Sequence, residues 1–233
     1  MTSSTPTPHP LPVGPLVVAV DNPTPPRRQA YSGRFVTLTP VDPAADAPQL
    51  YAASHGDPAR EQLWTYMPNS GPFADQPAMQ EWLERCQTST DPLFFTVTDA
   101  LAGRRVGIVS FLNIVPAQRR VELGNIWYAP EAQRTKVNTE SIYLMLCESF
   151  DQLHYRRVEW KCDSLNARSR AAALRLGFQF EGIFRQHLIV RGRNRDTAWF
   201  AITDGDWPRS KANLERWLYA GEEGLSLTQL NQS

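Results

Sequence analysis

Residues 121–153 read VELGNIWYAPEAQRTKVNTESIYLMLCESFDQL. Val121 to Tyr128 is rich in strand formers and predicts a strand. The next ten residues carry a proline and several polar side chains, and predict a turn. From Thr139 to Leu153 the apolar residues Ile142, Leu146, Phe150 and Leu153 recur at helical spacing. Asn138 suits the N-cap of that helix, and Glu140 suits its first turn, where an acid meets the positive end of the dipole. A strand that runs through a polar turn into a helix N-terminus gathers free backbone N–H groups at one place, and this suits an anion. Arg134 and Lys136 add charge there, Thr135 and Thr139 add hydroxyl donors, and a pyrophosphate fits. A capped helix beside solvated basic residues explains the same segment equally well.

Outward from this segment the pattern continues on both sides. Before it stand a strand at Phe35–Thr39, helices at Ala44–Ser54 and Pro77–Cys86, and strands at Leu93–Thr98 and Val106–Val115. After it come a strand at Val158–Cys162 and a helix at Asn166–Leu176, which Gly177 ends. A hairpin of Phe180–Val190 and Thr197–Ile202 and an amphipathic helix at Asp206–Leu218 follow. Consecutive strands joined by short turns must be antiparallel. The crossover from Tyr128 to Cys162 asks for a parallel pair. The expected architecture is one α/β domain over 29–221, with a mixed sheet and helices on its faces. A proline-rich arm (1–28) precedes it, with Leu11 to Val20 apolar enough to pack on the body, and a frayed tail (222–233) follows.

Composition narrows the function classes. The chain has 233 residues, 42% of them hydrophobic, enough for a sizeable core. Lys+Arg and Asp+Glu both number 24, so there is no general charge to attract nucleic acid or an anionic membrane. No apolar run approaches the ~18 residues of a membrane span, and no basic region precedes Leu16–Val20 as in a signal peptide. Three scattered cysteines, Cys86, Cys147 and Cys162, suit reduced thiols in a cytoplasmic protein and no metal site. Arg185, Arg191, Arg193, Arg195 and the Arg156-Arg157 pair could suggest nucleic-acid binding, but neutral net charge and the lack of interleaved aromatics argue against it, and they read instead as a solvated hairpin or as a preference for an acidic acceptor.

The order of elements, with Gln133, Asn166-Ala167-Arg168-Ser169, Leu176-Gly177-Phe178 and Glu181-Gly182, resembles the GNAT acetyltransferases, especially their RimJ/RimL-like branch. The resemblance runs from about Gly33 to Leu218. In that family the pyrophosphate loop reads Gln/Arg-x-x-Gly-x-Gly/Ala. Gln133 matches its first position, while Lys136 and Asn138 stand where the glycines usually are, a departure because glycine allows φ > 0 and close backbone approach. The resemblance implies a GNAT fold: a twisted, mostly antiparallel sheet of about seven strands, helices on both faces, and a gap where the fourth strand (Val121–Tyr128) splays from the fifth (Val158–Cys162). It implies acetyl-CoA as co-substrate, held by Gln133, Arg134, Thr135, Lys136, Val137, Asn138 and Thr139 at the pyrophosphate. Backbone groups of Ile126, Trp127 and Tyr128 would hold the thioester, Asn166 the pantetheine arm, and Arg168 and Ser169 the outer end.

Acetyl transfer to an amine needs a base for the ammonium and a proton for the leaving thiolate. Simple alternation places Glu122 on one strand face with Gly124, Ile126 and Tyr128. Glu122 is the candidate base, with His187 and Glu181 behind it, and a solvated or salt-bridged strand residue is the competing reading. Many relatives carry a tyrosine acid where this chain has Ala173, which leaves Tyr128, Ser169 or water to supply the proton. Trp64, Tyr66, Met67 and His187 are candidates for the acceptor pocket, the aromatics equally suited to core. The expected acceptor is a primary amine, on a small molecule or a protein N-terminus. The competing function is an inactive acyl-CoA-binding protein. Long terminal segments suit a homodimer.

Overall fold

The computed structural model describes residues 11–19, 23–68, 70–222 and 224–232. Strands β1 (Tyr31–Ser32) and β2 (Val36–Pro40) lead into helices α1 (Pro43–Ser54), α2 (Pro58–Glu61) and α3 (Gln76–Thr88). The meander β3 (Leu93–Asp99), β4 (Arg104–Val115) and β5 (Arg120–Tyr128) follows. Then come α4 (Lys136–Cys147), β6 (Arg157–Asp163), α5 (Ala167–Arg175), the hairpin β7 (Gln179–Val190) and β8 (Arg193–Thr203), α6 (Trp207–Tyr219) and α7 (Leu227–Gln232). The strands form one sheet in the order β1-β2-β3-β4-β5-β6-β8-β7. Every pairing is antiparallel except β5 with β6, as the crossover required. The sheet has eight strands where about seven were expected, because the two-residue β1 adds to β2.

Alternation along β4 sends its side chains to two cores. Val109 and Phe111 join Leu123, Ile142, Leu146 and Leu214 under α4 and α6. Ile108 joins Leu50, Trp64, Met79, Leu83 and Trp127 beside α1 and α3. Burying such side chains against both faces is the main favourable term for the fold, at ~25 cal/mol per Å² of apolar area.

Four expectations need correction. The first concerns the start of the central helix. It begins at Lys136, not Thr139, with Thr135 at the cap position and Asn138 inside the first turn, and a π turn over Glu148–Gln152 completes it. Glu140 does not serve the dipole at the surface. It is fully buried and accepts the backbone N–H groups of Arg34, Phe35 and Val36 at 3.0, 2.6 and 2.9 Å, plus the Tyr219 hydroxyl at 2.7 Å. Gly33 makes room for this anchor, since a Cβ there would lie 2.4 Å from the carboxylate.

The second correction concerns strand alternation. Ile108 pairs with Trp127 but Ser110 pairs with Gly124, so β5 carries one extra residue, and Asn125 takes it up at φ 51°. Such a bulge reverses the facing of the side chains beyond it. Glu122 therefore shares a face with Trp127, not with Tyr128. Third, the apolar stretch expected to pack on the body is exposed over its described residues 11–19, although Pro26 further along the arm is buried. Leu11, Leu16 and Val18 are exposed, and the arm is tied by polar bonds, from Arg119 to the Val18 carbonyl and from the Tyr155 hydroxyl to the Thr24 carbonyl. Fourth, the expected frayed tail holds α7, whose Leu227 is buried and whose Asn231 donates to the Arg175 carbonyl at 2.8 Å.

Candidate active site

The parallel ladder between β5 and β6 is short. It joins Arg120 to Arg157, Val121 to Val158 and Glu122 to Glu159, and there it stops. Beyond that point β5 follows β4 as far as Tyr128, while β6 follows β8 as far as Asp163. Two strands that start as neighbours and then serve different partners must diverge. Between them lies a cavity of about 390 Å³, lined by Glu122 to Ile126, by Trp160 to Asp163, by Asn166 and Ser169 of α5, and by the β7–β8 hairpin. Tyr66 and Met67 close one side.

A buried charge cluster marks the fork. Lys161 Nζ lies 2.8 Å from Glu122 Oε2 and 2.9 Å from Glu159 Oε2. Asn113 donates to Glu122 Oε2 at 2.6 Å, and Arg157 donates to Glu159 Oε1 at 2.9 Å. The Lys161 ammonium also sits over the Trp199 ring, 3.9 Å from its centroid. Burial lifts the Glu122 carboxyl above the usual carboxylate range, against the pull of Lys161 and Asn113. Burial acts on Glu159 as well, but its bonds to Arg157 and Lys161 win and hold it below the usual range. Thus two neighbouring carboxylates are pushed apart in acidity, the pattern expected where one of them handles protons. The Cys162 thiol, also in the wall, is raised by burial against a bond to Ser169, which keeps it protonated and a poor nucleophile.

The expected site residues separate into distinct groups. Glu122, Ile126, Asn166, Ser169, Tyr66, Met67 and His187 all line the cavity. Asn166 caps α5 by accepting from Ser169 N at 3.0 Å, and the Ser169 hydroxyl accepts from Trp160 Nε1 at 3.0 Å. Trp64 belongs to the core, at 1% exposure, with its indole N–H on the Ser54 carbonyl, and Trp127 packs beside it. Tyr128 is also away from the cavity. The bulge turns it under α4, where its hydroxyl bonds Ser141 Oγ and the Asn138 carbonyl, and burial raises it far above an ordinary phenol.

At the start of α4 several side chains are already engaged. Gln133 donates to the Tyr128 carbonyl, Thr135 to the Ala132 carbonyl and Thr139 to the Thr135 carbonyl. Val137 is core. Lys136 turns away from the turn, donates to the Leu218 carbonyl at 2.7 Å near the end of α6, and covers the Phe35 ring at 4.8 Å. Arg134, exposed at φ 60°, and Arg168, exposed on α5, are the basic side chains of the expected set that face solvent. Neither Lys136 nor Asn138 needs the backbone freedom of glycine, because both already lie in helical conformation.

Part of the cavity wall was not assigned from the sequence. Lys161, Asn113, Thr197, Arg195 and Trp199 all reach it, from β4, β6 and β8. Arg191, expected in a solvated hairpin, instead donates to the carbonyls of Met67, Ser70 and Gly71 at 3.0, 3.3 and 2.7 Å and pins the Tyr66–Met67 loop.

The family described as "Acetyltransferase (GNAT) domain" matches residues 36–179. The chain belongs to the GNAT acetyltransferase family. A GCN5-related N-acetyltransferase structure from Brucella melitensis is 38% identical to this GNAT chain, with a TM-score of 0.85 over 92% of this chain and 100% of that one. A GNAT-family structure from Chromobacterium violaceum is 35% identical, with a TM-score of 0.77 over 87% of this chain and all of its own. A Bacillus subtilis protein named "Putative ribosomal N-acetyltransferase YdaF" is 28% identical over 109 residues, 47% of this chain and 59% of that protein's length. These relatives support the RimJ/RimL-like branch of the GNAT family.

Proposed function

We propose that this GNAT protein transfers the acetyl group of acetyl-CoA to a primary amine by direct attack in a ternary complex. The observation that carries the reading is the fork between β5 and β6, with the Glu122–Lys161–Glu159 cluster at its apex and a cavity of mixed polar and apolar lining beyond it. The chain's own groups fit acetyl-CoA. Thr135 gives no side-chain cap to the first turn of α4, so the leading N–H groups there face an anion site with Arg134 beside them. No residue of β6 pairs with β5 beyond Glu122, which frees backbone groups near Ile126 for the pantetheine and thioester end. Asn166 and Ser169 stand on the other side of the gap. The co-substrate supplies the activated acyl group.

Glu122 is assigned as the base that takes the ammonium proton of the acceptor, directly or through a water. Both of its protein partners fall on Oε2, so Oε1 remains for this task. Lys161 and Asn113 favour its ionised form, and burial, the larger effect, makes it a stronger base than an exposed carboxylate. Ala173 is fully buried, so α5 offers no acid there, and a thiolate leaves without a strong one. Tyr128 is not assigned this role, because its hydroxyl lies under α4.

Calorimetric titration of acetyl-CoA and of CoA tests the binding half. Micromolar affinity that weakens roughly tenfold in Asn166→Ala is expected from the loss of one hydrogen bond and its cap. No heat at millimolar cofactor would set the reading aside.

A further inference from the structure

We propose that the acceptor is a small amine that also carries an anionic group, and that Arg195 is the residue that recognises this group. The inference rests on the transferase reading and names its substrate class.

Four of the charged side chains in the cavity wall are Glu122, Lys161, Asp163 and Arg195. The first two neutralise each other, with Glu159 and Asn113 adding bonds. Asp163 accepts the backbone N–H of Leu165 at 2.9 Å. Arg195 stands apart from these. Its Nε is buried, and among the described residues it has no hydrogen-bond partner. No carboxylate lies within ion-pair distance of its guanidinium among those residues either. A guanidinium keeps its charge at any ordinary pH and offers a planar fork that suits a carboxylate or a phosphate. Held partly out of water without a partner, it is a recognition element for an anion.

The surroundings favour the same reading. Arg195, Thr197 and Trp199 alternate onto one face of β8, and β6 sets Lys161 against Trp199 and Asp163 against Thr197. That face forms a wall of the cavity, with the Thr197 hydroxyl and His187 Nδ1 2.9 Å apart beside it. The wall thus offers a cation at one end and a base, Glu122, at the fork. An amine that also carries a carboxylate or phosphate, set apart from its nitrogen, satisfies both, because Arg195 lies well along β8 from Ala201, which shares the rung of Glu159 and Glu122. The size of the acceptor follows from the roof. Arg191 and the Tyr66–Leu165 contact hold the Tyr66–Met67 loop across the cavity, which suits a small molecule better than a folded protein terminus.

The experiment measures thiol release from acetyl-CoA with matched amine pairs. The pairs are ω-amino acids against their carboxamides and aminoalkyl phosphates against the parent aminoalcohols. An N-terminal peptide with a neutral second residue is added. The wild-type chain is expected to prefer the anionic member of a pair in kcat/KM by roughly 10- to 100-fold. Whichever pair shows it identifies the anion. In Arg195→Met the preference falls to about one, mainly through KM, and Arg195→Lys restores part of it. Circular dichroism and acetyl-CoA titration of both variants guard against a folding defect. If thiol is released but the pairs do not differ, or the neutral peptide is the best acceptor, the inference is overturned and the transferase reading stands. If no amine releases thiol, both are overturned together.

Discussion

The two halves of the candidate site are built in different ways. The half at the start of α4, outside the cavity lining, is largely a local structure. Within residues 128–139 Gln133 bonds Tyr128, Thr135 bonds Ala132 and Thr139 bonds Thr135, Lys136 and Tyr128 reach outside, and the helix that follows sets the direction of the N–H groups. The half formed by the cavity wall is assembled from segments far apart in the chain, with Asn113 of β4, Glu122 of β5, Lys161 of β6, and Arg195 and Trp199 of β8 meeting only once the sheet closes. A local device can serve any ligand with the same phosphate, whereas an assembled wall can be altered one strand at a time. The first arrangement suits a shared co-substrate and the second suits an acceptor particular to this chain.

The comparison can be broken most strongly at Glu122. Replacement by Gln is expected to lower kcat/KM for the best amine by about 10²- to 10⁴-fold while acetyl-CoA affinity stays within about twofold, read by thiol release and calorimetry. A loss of cofactor affinity of the same size would mean that the fork serves the cofactor side instead. Lys161→Met comes next. It leaves Glu122 buried without its cation, and a loss of stability of about 3 kcal/mol is expected in urea unfolding. Its pH profile carries the sharper sign. Lys161 opposes the upward shift of Glu122, so its removal raises that carboxyl further. A base works only when deprotonated, so the acidic limb of kcat/KM must move to higher pH in the variant. A limb that stays in place would separate Glu122 from the rate.

Smaller effects sharpen the division. Arg191→Ala removes the pin on the Tyr66–Met67 loop and should raise the KM for amine several-fold, with a stability loss of about 1–2 kcal/mol and no change in acetyl-CoA affinity. Lys136→Met should cost about 1 kcal/mol or less, because its ammonium serves the carbonyl end of α6. Its acetyl-CoA affinity should stay within about threefold. A tenfold weakening would show that Lys136 reaches the cofactor after all.

Much of the fold was legible in the sequence, as were several residues that line the cavity, and the residues explain why. The helix after Tyr128 and the C-cap at Gly177, with φ of 96°, follow from spacing within a few residues. Glu122 was legible as a candidate because one carboxylate stands in an otherwise apolar strand. The facing of Tyr128 was not, because the bulge at Asn125 depends on how β4 pairs across from it. Nor was the direction of Lys136, which is fixed by the end of α6 far along the chain. Trp64 and Tyr66 lie two residues apart in one loop, yet one packs in the core and the other lines the cavity. Only the placement of Trp127 and Ser54 decides between them.

The central claim, acetyl transfer driven by a base at the fork, is tested most directly by thiol release from acetyl-CoA over a broad amine panel, wild type beside Glu122→Gln. The account predicts turnover in the wild type with at least one amine, and its near-complete loss in the variant with acetyl-CoA still bound. Equal turnover in the two proteins, or acetyl-CoA binding without turnover on any amine, would contradict it.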